Sequence, residues 1–411
     1  MPSRPSPASA RSPIALGALA ATAVLVLSGC VPNAPAGGTS IAVDIRDDAC
    51  EVETATAEAG TVVFSLSNTG SDVNEFEILA DDGLRIVGEK ENVVPGQTVD
   101  YAVQLEPGSY VTACKFRQVG EPVGRAAFTV TGEAVVRDAD EQQLADEAVA
   151  SYLAYLRSQV GELIPAVAEF AEAYAAGDDE KARELFAAAR VPYERIEPTA
   201  EAFGDLDPSI DYREVDALAE GLDWTGFHRM EKDLWPPHAG DLNSDGADAL
   251  LDWSPSTPEE RRALADGLVA DVDRLAQLVR ADDFTLSVDD ISNGAIGLLD
   301  EVAAGKITGE EDWWSHTDLS DFAANVQGAR VAFGTVRELA ETAGGAEAEQ
   351  LTTRIDREFD ALEALLAQYG DLDAGFTPYD QVDAAQRKEL SDQVNALAEP
   401  LSQLTALVLG S

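Results

Sequence analysis

The hydrophobic period of this chain changes once, near Arg137, and that switch limits the fold more than any other feature. Ahead of it lie short alternating or β-branched runs, IAVDI, TVVFSL, NEFEIL, TVDYAVQL, SYVTACKF and AAFTVTG. Turn signals at Asn68-Thr69-Gly70, Pro95-Gly96 and Pro107-Gly108 separate them, so Ile41 to Gly132 reads as a β-sandwich of about 90 residues. Behind it, Ala, Leu, Glu, Asp and Arg recur with helical spacing to the end of the chain. Breaks at Gly177-Asp178-Asp179, Gly204 to Pro208, Pro236 to Gly246, Ser254 to Pro258, Gly344-Gly345 and Gly370 to Pro378 divide residues 138–411 into about eight helices, enough for one or two bundles. Ser256 and Thr257 before Pro258-Glu259-Glu260 form a strong helix start. The expected fold class is multidomain β + α.

The first 29 residues read as a lipoprotein signal peptide. Arg4 and Arg11 precede an apolar run, Ile14 to Leu27, too short to span a bilayer. The run closes in Leu27-Ser28-Gly29-Cys30, which resembles the bacterial lipobox, with Cys30 as the lipidated first residue of the mature chain. Residues 30–40, with Pro32, Pro35, Gly37 and Gly38, suit a flexible tether. No later stretch reaches about 18 consecutive apolar residues. The expected location is extracytoplasmic, anchored to the cell membrane through lipid at Cys30.

Charge narrows the partners. With 76 acidic against 28 basic residues the formal charge is -48, and the leader carries arginines but no acid. Such a surface does not neutralise phosphates, which excludes nucleic acid, and cations are its natural counterpart. The candidate cation ligands lie in the helical half. His228 and Glu231, in Gly226-Phe227-His228-Arg229-Met230-Glu231, are three apart on one helical face and suit shared ligation of one ion. Glu194 and Glu197 show the same spacing between Pro192 and Pro198, which implies a bent helix, and Asp211 follows in an acidic segment. Four carboxylates and one imidazole form a hard, oxygen-rich set suited to iron, manganese or a loosely held zinc.

In the β half there is no histidine from Ile41 to Gly132, so an electron-transfer copper site, which needs two imidazoles and a thiolate, is excluded. Cys50 and Cys114 form an even pair outside the cytosol, read first as a disulfide and otherwise as soft ligands for copper(I) or iron.

The strings Tyr193-Glu194-Arg195-Ile196-Glu197-Pro198, Phe203-Gly204-Asp205-Leu206-Asp207, Gly226-Phe227-His228-Arg229-Met230-Glu231-Lys232 and Trp314-Ser315-His316-Thr317-Asp318-Leu319 resemble the EfeO-type family of iron-uptake lipoproteins, whose hallmark is GxHxxE. The resemblance covers nearly all of the mature chain. It implies a cupredoxin-like Greek-key β-sandwich over 41–132 and an all-α imelysin-like helical bundle over 138–411. It further implies capture of ferrous or ferric iron and delivery to a membrane permease, beside a haem peroxidase-like partner. The implied metal ligands are Glu194, Glu197, Asp211, His228 and Glu231; His316 would only support a nearby helix. A second metal site, for copper or iron, would join Cys50 and Cys114 to Glu75 and Glu89 or Glu91, the alternative being the disulfide. Copper and zinc are the other cofactor candidates.

Two rival functions remain. A metal-dependent binder of acidic polysaccharide would need a long cleft with exposed aromatics such as Trp224, Trp235, Trp313 and Trp314. A metallopeptidase built on HxxE is the weaker rival, because the chain lacks the HExxH helix with two zinc-binding histidines. No enzymatic activity is expected.

Overall fold

The computed structural model describes residues 39–410, Val119 excepted. The signal peptide, Cys30 and the tether up to residue 38 lie outside the described residues. Strand pairing begins at Thr39, so the last two residues of the expected tether belong to a strand.

Nine strands form two sheets. They are β1 (Thr39–Arg46), β2 (Ala49–Val52), β3 (Thr56–Glu58), β4 (Gly60–Asn68), β5 (Asn74–Leu79), β6 (Ile86–Val93), β7 (Thr98–Leu105), β8 (Gly108–Phe116) and β9 (Val123–Thr131). One sheet has the order β2-β1-β4-β7 and the other β3-β9-β8-β5-β6, with β1–β4 and β3–β9 parallel. Alternation selects the core: Ile41, Val43 and Ile45 on β1 and Val62, Phe64 and Leu66 on β4 point inward. Phe64 meets Phe76 and Phe128 of the opposite sheet, at centroid distances of 5.1 and 5.6 Å. A cupredoxin-like β region therefore precedes the helices, as expected.

A disulfide joins Cys50 of β2 to Cys114 of β8 and so ties one sheet to the other. Gly124, at φ +63°, lies against it, and a Cβ there would fall 2.5 Å from the Cys50 Cβ. The bridge closes a loop with a sequence separation of 64. Replacing both cysteines by Ser is expected to cost about 2–5 kcal/mol, measured as a lower melting temperature of the β region under non-reducing conditions.

The helical part comprises α1 (Ala139–Ala176), α2 (Asp179–Glu194), α3 (Leu206–Asp211), α4 (Glu214–Glu220), α5 (Gly226–Leu234), α6 (Pro258–Leu278), α7 (Val288–Ala304), α8 (Asp318–Leu366), α9 (Ala384–Leu401) and α10 (Leu404–Val408). The described residues thus hold ten α-helices where the breaks implied about eight. The extra ones are short and separated by pairs such as Tyr212-Arg213 and Ser402-Gln403, which carry no Gly or Pro signal. At Gly344-Gly345 the expected end is a kink: Gly345 takes φ 57°, ψ -137°, and α8 resumes. The start at Pro258 is as read, with Thr257 and Glu260 forming a reciprocal capping box.

Two apolar cores divide the helices. One packs α7, α8, α9 and α10 against the first half of α1, and the other packs α2, α3, α5 and α6 against its second half. The sandwich rests on this body through residues of both sheets. Lys115 pairs with Glu220 at 3.0 Å, Lys90 with Asp300 at 2.5 Å, and the Gln104 N–H donates to Asp289 at 2.9 Å. Among the described residues no helix is long and apolar enough to cross a membrane.

Candidate metal centre

Helix α5 carries the centre, and its sequence explains its placement. Phe227, Met230 and Leu234 bury one face in the core, while His228 and Glu231 are 2% and 1% exposed on another. Gly226 opens the helix at φ +76°, and a Cβ there would lie 2.1 Å from the Ile210 carbonyl oxygen. Only glycine permits that approach. It sets the end of α3, with Asp211, beside His228.

The imidazole is held from one side and open on the other. Its Nδ1 lies 3.1 Å from Glu231 Oε2. The other Glu231 oxygen accepts the Trp314 N–H at 3.1 Å, and the Ser315 N–H and hydroxyl at 2.8 Å each. His228 Nε2 is buried without a hydrogen-bond partner, and so is Asp312 Oδ1. Nε2 faces Asp211 Oδ1 at 3.7 Å and Glu311 Oε1 at 3.6 Å. Ligand atoms of Asp211, His228 and Glu311 all lie within 4.8 Å of one another, as do those of His228, Glu231 and Asp312, and of Glu194, Glu197 and Asp211. A buried nitrogen with nothing to bond to, facing two carboxylates, is the arrangement an ion completes.

Glu194 and Glu197 converge on this region, but not along one helical face. Pro198 has no N–H to give the Glu194 carbonyl, which accepts from the Asn325 amide at 3.0 Å instead, so α2 ends at Glu194 and Glu197 opens a 3-10 turn, Glu197–Phe203. The Asn325 amide draws them together, donating to Glu194 Oε2 at 3.0 Å and to Glu197 Oε2 at 2.6 Å.

Two built-in cations complete the cluster. Arg190, fully buried and set over Phe227 at 5.4 Å, donates to Glu194 at 2.6 Å, to Asp321 at 3.3 Å and to Asp211. The Lys306 ammonium bonds both oxygens of Glu197, at 2.7 and 2.8 Å. The protonation pattern follows from this crowding. Burial and the Arg190 charge press the His228 pKa down, but the Glu231 hydrogen bond and the facing Glu311 and Asp211 carboxylates outweigh them and raise it to about 10. Burial pushes Asp211 up to about 7 against the pull of Arg190. Burial also holds Glu197 well above the usual carboxylate range despite Lys306. Glu311 goes the other way: burial would raise it, but Lys306, His228 and Arg213 hold it well below.

A cleft lined by Trp224, Trp313, Trp314 and Arg213 leads to His228, Glu231 and Glu311. Trp235 is elsewhere, half-buried against Phe186. The other histidines stand apart. His238 is exposed beside Asp241, and His316 sits at φ 60° with its N–H bonded to the Asp312 carbonyl at 2.8 Å. Arg190, Lys306, Glu311, Asp312, Asp321 and Asn325 were not apparent from the sequence. The acidic run Glu310-Glu311-Asp312, directly before the Trp314 string, and the lone Arg190 in the apolar LFAAARVPY were the available signals.

In the β region the cysteines and the glutamates are not brought together. Cys114 pairs with Phe76 on the core face, whereas Glu75 and Glu77 alternate onto the other face, toward the helices. Glu77 stands opposite Glu89, and the ligand atoms that converge there belong to Glu75, Glu77 and Glu89, with Glu91 outside the group. Burial and the neighbouring Glu89 and Glu91 push Glu75 well above its usual range.

The imelysin family matches residues 148–404, and the cupredoxin-like domain family matches residues 18–124. Fold and matches together define a protein of the cupredoxin-like plus imelysin class. The iron uptake system component EfeO of Escherichia coli O157:H7 is 36% identical over 390 residues, covering 94% of this chain and 96% of the relative. That of Escherichia coli O1:K1 is 37% identical over 372 residues, 90% and 91% of the two chains, and that of Shigella flexneri is 36% identical over 390 residues, 94% and 96%. This chain belongs to the EfeO family.

Proposed function

We propose that this chain is the extracytoplasmic iron-binding component of an iron uptake system, capturing ferrous or ferric iron at His228 and handing it to a membrane permease. Lipid at Cys30 would hold it at the membrane, and a haem peroxidase-like protein would work beside it. The observation that carries this reading is His228 Nε2, buried and unpartnered, facing Asp211 and Glu311. The names of the relatives, each an iron uptake system component, support it. In the proposed centre His228 Nε2, Asp211 and Glu311 bind the ion, and Glu194 and Glu197 stand behind them, held by Arg190, Asn325 and Lys306. Glu231 orients the imidazole through Nδ1, as the carboxylate does in a carboxylate–histidine–metal arrangement. No covalent chemistry is required, so no catalytic residue is assigned.

Competitive titration of the purified mature chain with iron, manganese, zinc and copper tests the reading, and the expected result is one tightly held iron. The charge of -48 steers cations to the surface, so the association rate is expected to fall about tenfold between 0.01 and 0.15 M salt. An absence of iron binding, with a metal-dependent pull-down of an anionic glycan, would favour the second reading. That reading draws on Trp224, Trp313 and Trp314 in the cleft.

A further inference from the structure

We propose that Lys306 is a tethered counter-cation: its ammonium fills a second carboxylate subsite beside His228, limits the centre to one bound ion, and loosens that ion for release. The proposal rests on the reading that iron binds at His228.

Lys306 follows α7 in a short 3-10 turn, Lys306–Thr308, and is 4% exposed. Oxygens surround its ammonium as they would surround a metal ion. Glu197 supplies two, at 2.7 and 2.8 Å, and Asn325 Oδ1 a third at 3.4 Å. Glu194, Glu301 and Glu311 stand at 3.6, 3.8 and 3.8 Å. Without the ammonium these groups would be a hard-oxygen set of the kind manganese and ferrous iron accept.

Glu311 couples this subsite to the centre. Its Oε1 lies 3.6 Å from His228 Nε2 and 3.8 Å from Lys306 Nζ. An ion bound to Glu311 beside His228 therefore meets a fixed positive charge across a single carboxylate, where little water screens it. That repulsion weakens the hold on the cargo, which suits a protein that must hand it on. Arg190 also reaches Glu311 Oε1, at 3.6 Å, but its planar fork is already spent on Glu194, Asp211 and Asp321 and leaves the Glu197 oxygens to Lys306.

The experiment is a titration of the full mature chain with Mn²⁺, counted by electron paramagnetic resonance, followed by release to a chelator. Wild type and Lys306→Arg are expected to bind one ion. Lys306→Met and Lys306→Gln are expected to bind two, with the broadened signal of a spin-coupled pair, and to release the first at least about tenfold more slowly. The second neutral variant guards against misfolding of the first, and circular dichroism verifies the fold of both. Neutral variants that fold yet bind one ion, released at the wild-type rate, overturn the proposal and leave the His228 site standing. A wild type that takes no ion overturns both.

Discussion

Replacing His228 by Ala is expected to lower iron affinity by more than about 100-fold, whereas Glu231→Gln lowers it by about 10- to 100-fold. The difference follows from which imidazole nitrogen is free. Nδ1 is already engaged by Glu231, whose second oxygen is saturated by three donors from Trp314 and Ser315. Nε2 has no partner and faces Asp211 and Glu311. His228→Ala deletes a donor atom outright. Glu231→Gln leaves the imidazole in place but weakens the bond that fixes its tautomer and orientation. Glu311→Gln is expected to behave like the histidine variant, since it removes a charged oxygen from the same group of three. Isothermal titration of the three variants, with their folds verified by circular dichroism, ranks them. If Glu231→Gln were as damaging as His228→Ala and Glu311→Gln were silent, the ion would sit on the Nδ1 side with Glu231 and Asp312.

That ranking separates what the sequence could reveal from what only the folded chain displays. The spacing of His228 and Glu231 on one face was legible because helical geometry is local, and the two do meet at 3.1 Å. Their division of labour was not, because it depends on the Trp314 and Ser315 N–H groups, more than eighty residues away. The β-runs were legible for the same local reason, with Ile41, Val43 and Ile45 alternating inward as read. The short strands β2 and β3 and strand β6 were not, since Ile86–Val93 carries Gly88, Glu89, Lys90 and Glu91 and has little apolar alternation. Glu194 and Glu197 show the opposite error. Their spacing suggested one helical face, but Pro198 breaks the helix, and Asn325 from α8 brings the carboxylates together instead.

The counter-charges explain why so many carboxylates can be buried in one place. A lone buried carboxylate would cost several kcal/mol, so a cluster of this size must be neutralised by cations, by protons or by an ion. Arg190 and Lys306 supply two fixed positive charges, and neither was recognisable by spacing, because Lys306 reaches Glu197 across 109 residues. The remaining deficit is met by protons, as the raised pKa values of Asp211 and Glu197 indicate. An incoming ion thus exchanges with protons rather than entering a bare negative cavity.

This exchange sets the pH behaviour. The ion-free protein is expected to lose stability as pH rises from about 5.5 to 8.5, and bound iron is expected to flatten that slope. His228 has a folded pKa of about 10, above its ordinary value of 6.5, so its stabilising contribution is complete below pH 6.5 and is lost as pH climbs toward 10. Asp211, raised from 3.8 to about 7, acts with the same sign, its contribution fading from about pH 4 through 7. Burial raises Glu301 to about 7 as well, though Lys306 opposes it. The folded chain therefore holds protons that the unfolded chain gives up, and stability must fall as they become scarce. Exposed carboxylates are already ionised above about pH 5.5 and add no slope in this window. At roughly 1.4 kcal/mol for each tenfold gain in proton affinity on folding, and about 2–4 °C per kcal/mol, the melting temperature should drop by at least about 5 °C. The same protons leave when iron binds. Calorimetry at pH 7 in two buffers of different ionisation enthalpy should find at least one proton released per ion, and affinity should rise about tenfold per pH unit. A melting temperature independent of pH, with no proton released, would mean that His228 is neutral before the ion arrives.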